Sequence, residues 1–467
     1  MWDVVVIGGG IAGLTAAYEL HRLAAADGRA TRVGLVEGAP RLGGKIVTDE
    51  AGGFLVEGGP DSFLARKPWA LELARELGLE SRVVAADGEP RTTFVVRRGR
   101  LVPLPLGALP LLRSPLLSWG AKLRLALERF QPPRRGSGDE SVADFVRRRA
   151  GGEVLERLAE PLLAHVHVAD VERMSLDASY PQLAELERRH GSLTRGVAAL
   201  RRRAAPGAPV FLTLRGGIGE LVERLAARLP PESLRLGRAA RRLEARPGGG
   251  WIVRLADGEA MPAAAVVLAV PAFAAAELAA PLDAALARRL RAIRYASLAT
   301  LSLAYRRREV AHPLAGYGFF VPRREVRTVL ASTWTSSKFA GRVPDEDHVL
   351  LRVFLGGALG EEALRGDDDA LVDRARADLR DLLGLTAEPE LARLYRWPRG
   401  YPQYEVGHRE RVAAIAAAVP PGLAVAGSAY HGVGLPDCVR SAREAARAAY
   451  AALGPRVAEV DGGVLAC

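Results

Sequence analysis

The residues best placed to do chemistry in this chain are glycines. Gly8, Gly10 and Gly13 fall in the spacing G-x-G-x-x-G within Gly8-Gly9-Gly10-Ile11-Ala12-Gly13. They follow the apolar run Asp3-Val4-Val5-Val6-Ile7 and open a helical stretch over 14–24. In that setting the first glycine permits a tight turn, the second lets backbone approach a pyrophosphate, and the third lets helix pack closely on strand. Free N–H groups and the helix dipole then hold the phosphates. A second strand, Arg32-Val33-Gly34-Leu35-Val36, ends in Glu37, 24 residues after Gly13. A carboxylate there accepts from both hydroxyls of an adenosine ribose and disfavours a 2′-phosphate.

Further glycine clusters extend the site. Arg41-Leu42-Gly43-Gly44-Lys45 follows the ribose acid, and Val56-Glu57-Gly58-Gly59-Pro60-Asp61-Ser62 comes next. A nicotinamide dinucleotide needs no second cluster so soon, whereas a longer flavin dinucleotide threads past more backbone. The C-terminal part repeats the pattern. A strand over 423–426, a turn at Gly427-Ser428 and a helix over 441–453 enclose Gly432-Val433-Gly434-Leu435-Pro436-Asp437. Amides and a helix dipole aimed at the N1/O2 edge of an isoalloxazine stabilise its reduced anion. Many flavoproteins carry an acid just after the strand's glycine for the ribityl chain; Ser428 stands there instead. Strand, glycine and helix at both ends of the chain predict a discontinuous FAD domain that closes on itself.

Composition bounds the rest. The 467 residues carry 65 Lys+Arg against 54 Asp+Glu, a formal charge of +11, and 49% are hydrophobic, so the chain is not disordered and has ample material for a core. Lysine occurs only at 45, 67, 122 and 338, so the positive charge is almost all arginine, suited to anionic groups or set by coding bias. Cys438 and Cys467 are too few for a disulfide scaffold or a cysteine metal site. Met1 runs straight into a strand and no apolar stretch of 18 residues occurs without proline or charge. These features predict a soluble or peripherally bound protein of a reducing compartment.

The chain resembles the oxygen-dependent porphyrinogen oxidases, FAD enzymes of haem synthesis, along nearly its whole length. The segments that carry the resemblance are GGGIAG (8–13), VEGAPRLGGK (36–45), EGGPDSFLARK (57–67), EPLLAHVHVADVERMSLDASYPQL (160–183), RWPRGYPQYEVGHRER (396–411) and AGSAYHGVGLPDCV (426–439). The GPDSFLARK and PQYEVGH segments are most similar to the Gram-positive-type branch, which oxidises coproporphyrinogen III to coproporphyrin III. His165-Val166-His167-Val168-Ala169 departs from the family's glycine-rich form. The resemblance implies FAD contacts at Gly8, Gly9, Gly10, Ile11, Ala12, Gly13, Glu37, Gly38, Arg41, Gly44, Lys45, Gly59, Pro60, Asp61, Ser62, Ala240, Trp397, Val433, Gly434, Leu435, Pro436 and Asp437. It implies hydride transfer from a meso carbon to flavin N5 with O2 as final acceptor and hydrogen peroxide as product. No side chain then has to act as a strong base, which fits the lack of any Ser/His/Asp or Cys/His constellation; no catalytic residue is assigned. Lys67, after Arg66, is the expected propionate partner, and Tyr401 and Tyr404 offer flat faces to a flat ligand, with core packing the competing reading for all of them.

The expected architecture is mixed α/β. It comprises a Rossmann-like FAD domain in three pieces (1–85, 211–271 and 413–467), a helical insert (86–210) and a mixed-sheet substrate domain (272–412). Within the insert, 101–119 holds four prolines, and helices are expected over 121–130 and 141–149, the second capped by Ser141. The resemblance makes this insert a cover over the site with peripheral membrane contact at the inner face of the cell membrane; core packing is the alternative, since no long basic amphipathic helix is evident. A hand-over of product to the next haem-synthesis enzyme is also implied. His165 and His167 share a side if extended but lack a third ligand, so no metal is expected. Arg147-Arg148-Arg149 and Arg201-Arg202-Arg203 read as solvated helix faces, without nucleic acid, and Cys438 as a buried thiol. Three other functions stay open: protoporphyrinogen IX oxidase, an amine oxidase or desaturase, and a flavin-free binding protein of the GDP-dissociation-inhibitor type.

Overall fold

The computed structural model describes residues 1–86, 92–105, 107–134, 136, 138–203 and 209–454, without side chains at 200–203. Cys467 and the side chains of Arg201–Arg203 lie outside the described residues. The first strand, Trp2–Ile7, runs parallel to Val33–Val36 on one side and to Ala260–Leu268 on the other. Leu423–Val425 then joins Ala260–Leu268, also in parallel. Val4, Val5 and Val6 are fully buried because a parallel sheet is covered on both faces, so its strands need no polar side. Helices Ile11–Ala26 and Leu435–Ala451 cover one face; Ala272–Ala279 and Ala284–Arg291 cover the other. The β-meander expected after 235 is present as Ala240–Ala245, Trp251–Leu255 and Ala260–Leu268 in antiparallel order. The sheet thus joins the two ends of the chain to its middle.

The C-terminal helix starts six residues earlier than the sequence predicted. Gly434 is its N-cap and Pro436 sits in the first turn, where a missing N–H costs nothing. Leu435, Pro436 and Asp437 are therefore helical and buried.

The second sheet has seven strands, ordered Leu391–Pro402, Tyr295–Arg306, His348–Gly356, Val329–Trp334, Gly318–Phe320, Thr93–Arg97 and Arg100–Pro103. Leu391–Pro402 was visible in sequence only as an aromatic, proline-bearing stretch. It survives as a strand because it lies at the sheet edge, where proline removes no ladder bond. The pair 93–103, within the range read as the helical insert, hydrogen-bonds to this sheet through Thr93–Val95 and Gly318–Phe320. One face of the sheet packs on helix Asp368–Leu383. The other faces the strand Phe54–Glu57 and the loop behind it.

The insert is helical from Ala108 to Arg203, and Ser141 caps Val142–Arg149 by accepting the Asp144 N–H at 3.0 Å. One expectation fails here. Arg149 is fully buried rather than solvated, because Glu128 meets it inside the insert, and Arg148 bonds Glu187 and Glu140. His165–His167 is helical, not extended, continuing a π-helix over Leu155–Ala164 that contains Pro161. No cluster of metal-ligand type and no helix long and apolar enough to cross a membrane occurs among the described residues.

Candidate functional site

The glycine turn after Trp2–Ile7 is held by packing and by charge. Gly8 has φ +111°, and a Cβ on Gly13 would overlap the Gly8 carbonyl, so helix and turn meet only if both are glycine. Gly10 differs: its nearest neighbour for an added Cβ is Gly44 Cα at 3.9 Å. The turn is thus closed at its base and open above Gly10. That is the shape a pyrophosphate needs. Glu37, at the end of Val33–Val36, accepts the Gly9 N–H at 2.6 Å and the Ala39 N–H at 2.7 Å, which fixes its carboxylate beside the turn. Gly38 lies against Ala239, next to Ala240, where a Cβ would come within 3.3 Å.

The second glycine cluster docks on the first. Gly43 N–H donates to Gly9 O at 2.8 Å. Arg41 turns back on its own loop, donating to Leu42 O, Ile46 O and Gly44 O, so it shapes the loop and leaves its guanidinium no free fork. Lys45 Nζ donates to Gly400 O, tying this loop to the second sheet, and burial pushes its ammonium down from the ordinary lysine value. Gly58 O accepts from Thr300 Oγ1 at 2.7 Å and Trp397 Nε1 at 2.9 Å. A Cβ on Gly59 would overlap Lys45 O. Pro60 and Ser62 are half-buried, and Ser62 Oγ donates to Asp61 at 2.6 Å.

The C-terminal loop completes the ring. A side chain at Gly432 would collide with Asp437, and Gly434 lies 3.1 Å from its carboxylate by the same construction. Val433 and Gly434 remain half-buried, while Asp437 is 4% exposed and takes both of its bonds from Lys67, at 2.6 and 2.8 Å. The side chain read as a propionate partner and one read as a flavin contact therefore form a single ion pair. Lys67 keeps a third of its side chain exposed. Arg66 is exposed and makes no ion pair with a described residue. Tyr401 donates to Val166 O at 2.6 Å, and burial raises its hydroxyl well above the ordinary value. Tyr404 is buried and stacked on His408; it donates to Ser428 O at 2.7 Å and accepts from Gly432 N–H at 2.8 Å. Its hydroxyl braces the C-terminal loop and its ring lies within the protein. Cys438 is buried, which pushes its thiol up to about 12, so it stays protonated.

His167, weighed in the sequence only as a metal ligand with His165, is instead a buried neighbour of two tyrosines. Its ring lies 5.2 Å from Tyr180 and 6.5 Å from Tyr404, and burial, with Lys67 nearby, holds it at about 4. Sequence reasoning missed Lys338, Arg342 and Arg352, buried next to the loop 58–62. A lone charge in an apolar strand, such as Arg352 in HVLLRVFLG, was the available signal.

These loops fit FAD by their own chemistry: a closed glycine base, an open position over Gly10, a carboxylate fixed beside the turn and a helix N-terminus at Gly434. The model of the flavin containing amine oxidoreductase family matches residues 11–449. A coproporphyrinogen III oxidase of Propionibacterium freudenreichii subsp. freudenreichii is 37% identical, over 95% of this chain and 90% of its own. One from Bacillus subtilis (strain 168) is 32% identical, over 95% and 96%. A solved structure from Exiguobacterium sp. 255-15, assigned as a protoporphyrinogen oxidase, superposes with a TM-score of 0.86 at 31% identity, covering 96% of this chain and 99% of that one. The chain is an FAD-dependent oxidase of the flavin containing amine oxidoreductase family and belongs, within it, to the porphyrinogen oxidases.

Proposed function

We propose that this enzyme oxidises coproporphyrinogen III to coproporphyrin III in haem synthesis, with O2 as acceptor and hydrogen peroxide as product. The observation that carries the reading is the 37% and 32% identity, over 95% of this chain, to proteins named coproporphyrinogen III oxidase. The macrocycle loses six hydrogens, and each pair reduces one O2 to H2O2. Bound FAD supplies the two-electron acceptor at each step. The chain's own residues bind, orient and exclude water. The resemblance-derived contacts at 8–13, 37–38, 41–45, 59–62, 240, 397 and 433–437 hold the cofactor, within the three-piece division at 1–85, 211–271 and 413–467. Lys67, one-third exposed and paired to Asp437, offers its ammonium to a substrate propionate at the rim of the C-terminal loop. Tyr401, held by Val166 O, lies within electrostatic reach of the same Asp437.

The test is turnover of coproporphyrinogen III and protoporphyrinogen IX side by side, followed by porphyrin fluorescence and peroxide release. A higher kcat/KM for coproporphyrinogen III is expected. Preference for the dicarboxylate substrate would favour the second reading, supported by the Exiguobacterium structure. Lys67→Ala is expected to raise KM for coproporphyrinogen III about tenfold with bound flavin retained, the size of one charge-assisted contact; unchanged kinetics would remove it from the site.

We propose, too, that the insert makes peripheral contact with the inner face of the cell membrane. Helices Ala108–Arg113 and Trp119–Leu127 and the turn after them leave Leu112, Trp119, Leu123 and Phe130 exposed, at 49%, 72%, 62% and 65%. Arg113, Arg124 and Arg129 are exposed beside them. An apolar face flanked by cations suits an anionic bilayer, from which product would pass to the next haem-synthesis enzyme. Co-sedimentation with phosphatidylglycerol vesicles should fall on Trp119→Ala with Phe130→Ala; equal binding by the double variant removes the contact.

A further inference from the structure

A buried ionic group lies behind the loop 58–62. Lys338 ends the helix Thr335–Lys338, Arg342 follows it, and Arg352 stands within the strand His348–Gly356. They are 8%, 1% and 3% exposed. Two carboxylates face them. Glu57 is already engaged, accepting from Thr48 Oγ1 and Ile218 N–H at 2.7 Å each. Asp61 Oδ2 lies 3.8 Å from Lys338 Nζ and 3.6 Å from Arg352 Nη1, ion-pair distances too long for hydrogen bonds.

Donor capacity is left over. Arg352 Nη2 donates to Gly59 O, and Arg342 Nη2 donates to Thr213 Oγ1 at 2.8 Å and Leu214 O at 3.0 Å. Arg352 Nε and Arg342 Nη1 are buried with no acceptor, and Lys338 Nζ, which lies 4.5 Å and 4.8 Å from the ring centroids of Phe211 and Phe339, makes no hydrogen bond to a described residue. Buried donors and buried cations are costly unless partnered. Lys338, Arg342 and Arg352 face Glu57 and Asp61, and Arg342 also feels Glu220, which is itself paired with Arg82; the four cations exceed the three carboxylates by one, so one further carboxylate would balance the group. The ladder register puts Arg352 on the sheet face that carries Thr300, whose hydroxyl bonds Gly58 O. The same face and the same loop thus serve the cofactor contacts and these cations.

We infer that Lys338 and Arg352, backed by Arg342, form a carboxylate-binding site that takes one propionate of the macrocycle. This rests on the proposed substrate class but adds a second anchor, distinct from Lys67. The pairing is charge-assisted, and the arginine fork suits a carboxylate.

The test titrates flavin-loaded protein with coproporphyrin III and with its tetramethyl ester, read by porphyrin fluorescence. Lys338→Gln is expected to weaken binding of the acid about tenfold and leave the ester unchanged, with Lys338→Arg close to wild type. Flavin absorbance reports folding; should Lys338→Gln lose its flavin, Lys338→Met carries the same measurement. Unchanged acid binding in the Lys338 and Arg352→Gln variants, or equal loss for acid and ester, overturns the site. Wild-type protein that turns over coproporphyrinogen III while Lys338 variants bind normally sinks this inference alone. Wild-type protein that binds neither ligand sinks the substrate reading with it.

Discussion

Two buried ionic groups in this molecule have opposite character. In the helical insert, Glu128 and Arg149 are both fully buried and fully used. Glu128 accepts from Arg149 Nε at 2.7 Å, Ser192 Oγ at 2.7 Å, Leu193 N–H at 2.9 Å and Thr194 Oγ1 at 2.8 Å. Arg149 spends its other donors on Gln131 O, Pro132 O and Gly191 O. Behind the loop 58–62, by contrast, Asp61 meets its cations only at 3.6 and 3.8 Å and two guanidinium nitrogens have no acceptor. A closed network fixes helices in place; an open one has capacity for a ligand. Saturation, rather than burial, separates a structural ion pair from a binding site.

The largest expected effect breaks the closed network. Arg149→Leu leaves Glu128 buried and unpaired, and should lower unfolding free energy by about 3–5 kcal/mol in urea titrations. A loss below about 1 kcal/mol would mean that the network is no more committed than a surface pair.

A smaller effect sharpens the open group. Burial raises the Asp61 carboxyl, but Lys338 and Arg352 outweigh it and hold it at about 2, below its ordinary 3.8. A depressed folded pKa stabilises the fold above pH 3.8, and that stability drains as pH falls toward 2. Asp61→Asn should therefore remove about 2 kcal/mol of the acid-limb slope in that window, though the variant starts less stable. A variant as steep as wild type there would take Asp61 out of the group. The smallest effect is a control on the insert's surface. Arg188 pairs with Glu185 at 71% exposure, and Arg188→Ala should leave the melting temperature unchanged.

Much of the candidate site's backbone geometry was readable because its signals are local. G-x-G-x-x-G, Glu37 and the paired glycines each act within a few residues of backbone, so spacing alone gave Gly8, Gly13 and Glu37 their places. The edge strand Leu391–Pro402 was hidden because proline masks strand propensity unless the strand is known to be an edge. Arg149 was misread because its partner stands 21 residues away, and helical periodicity does not say which face another element covers.

The amino-acid order by itself determined the glycine turn, the acid at the end of the second strand, the mixed α/β class and the lineage, since short-range backbone geometry and apolar patterning are written in consecutive residues. Tertiary structure alone decided that Lys67 meets Asp437 across 370 positions, that Tyr404 braces a loop instead of facing a ligand, and that Lys338, Arg342 and Arg352 converge on Asp61. Such pairings depend on long-range closure of two sheets around one loop. Charge at a given position carries no record of the distance to its partner until the chain has folded.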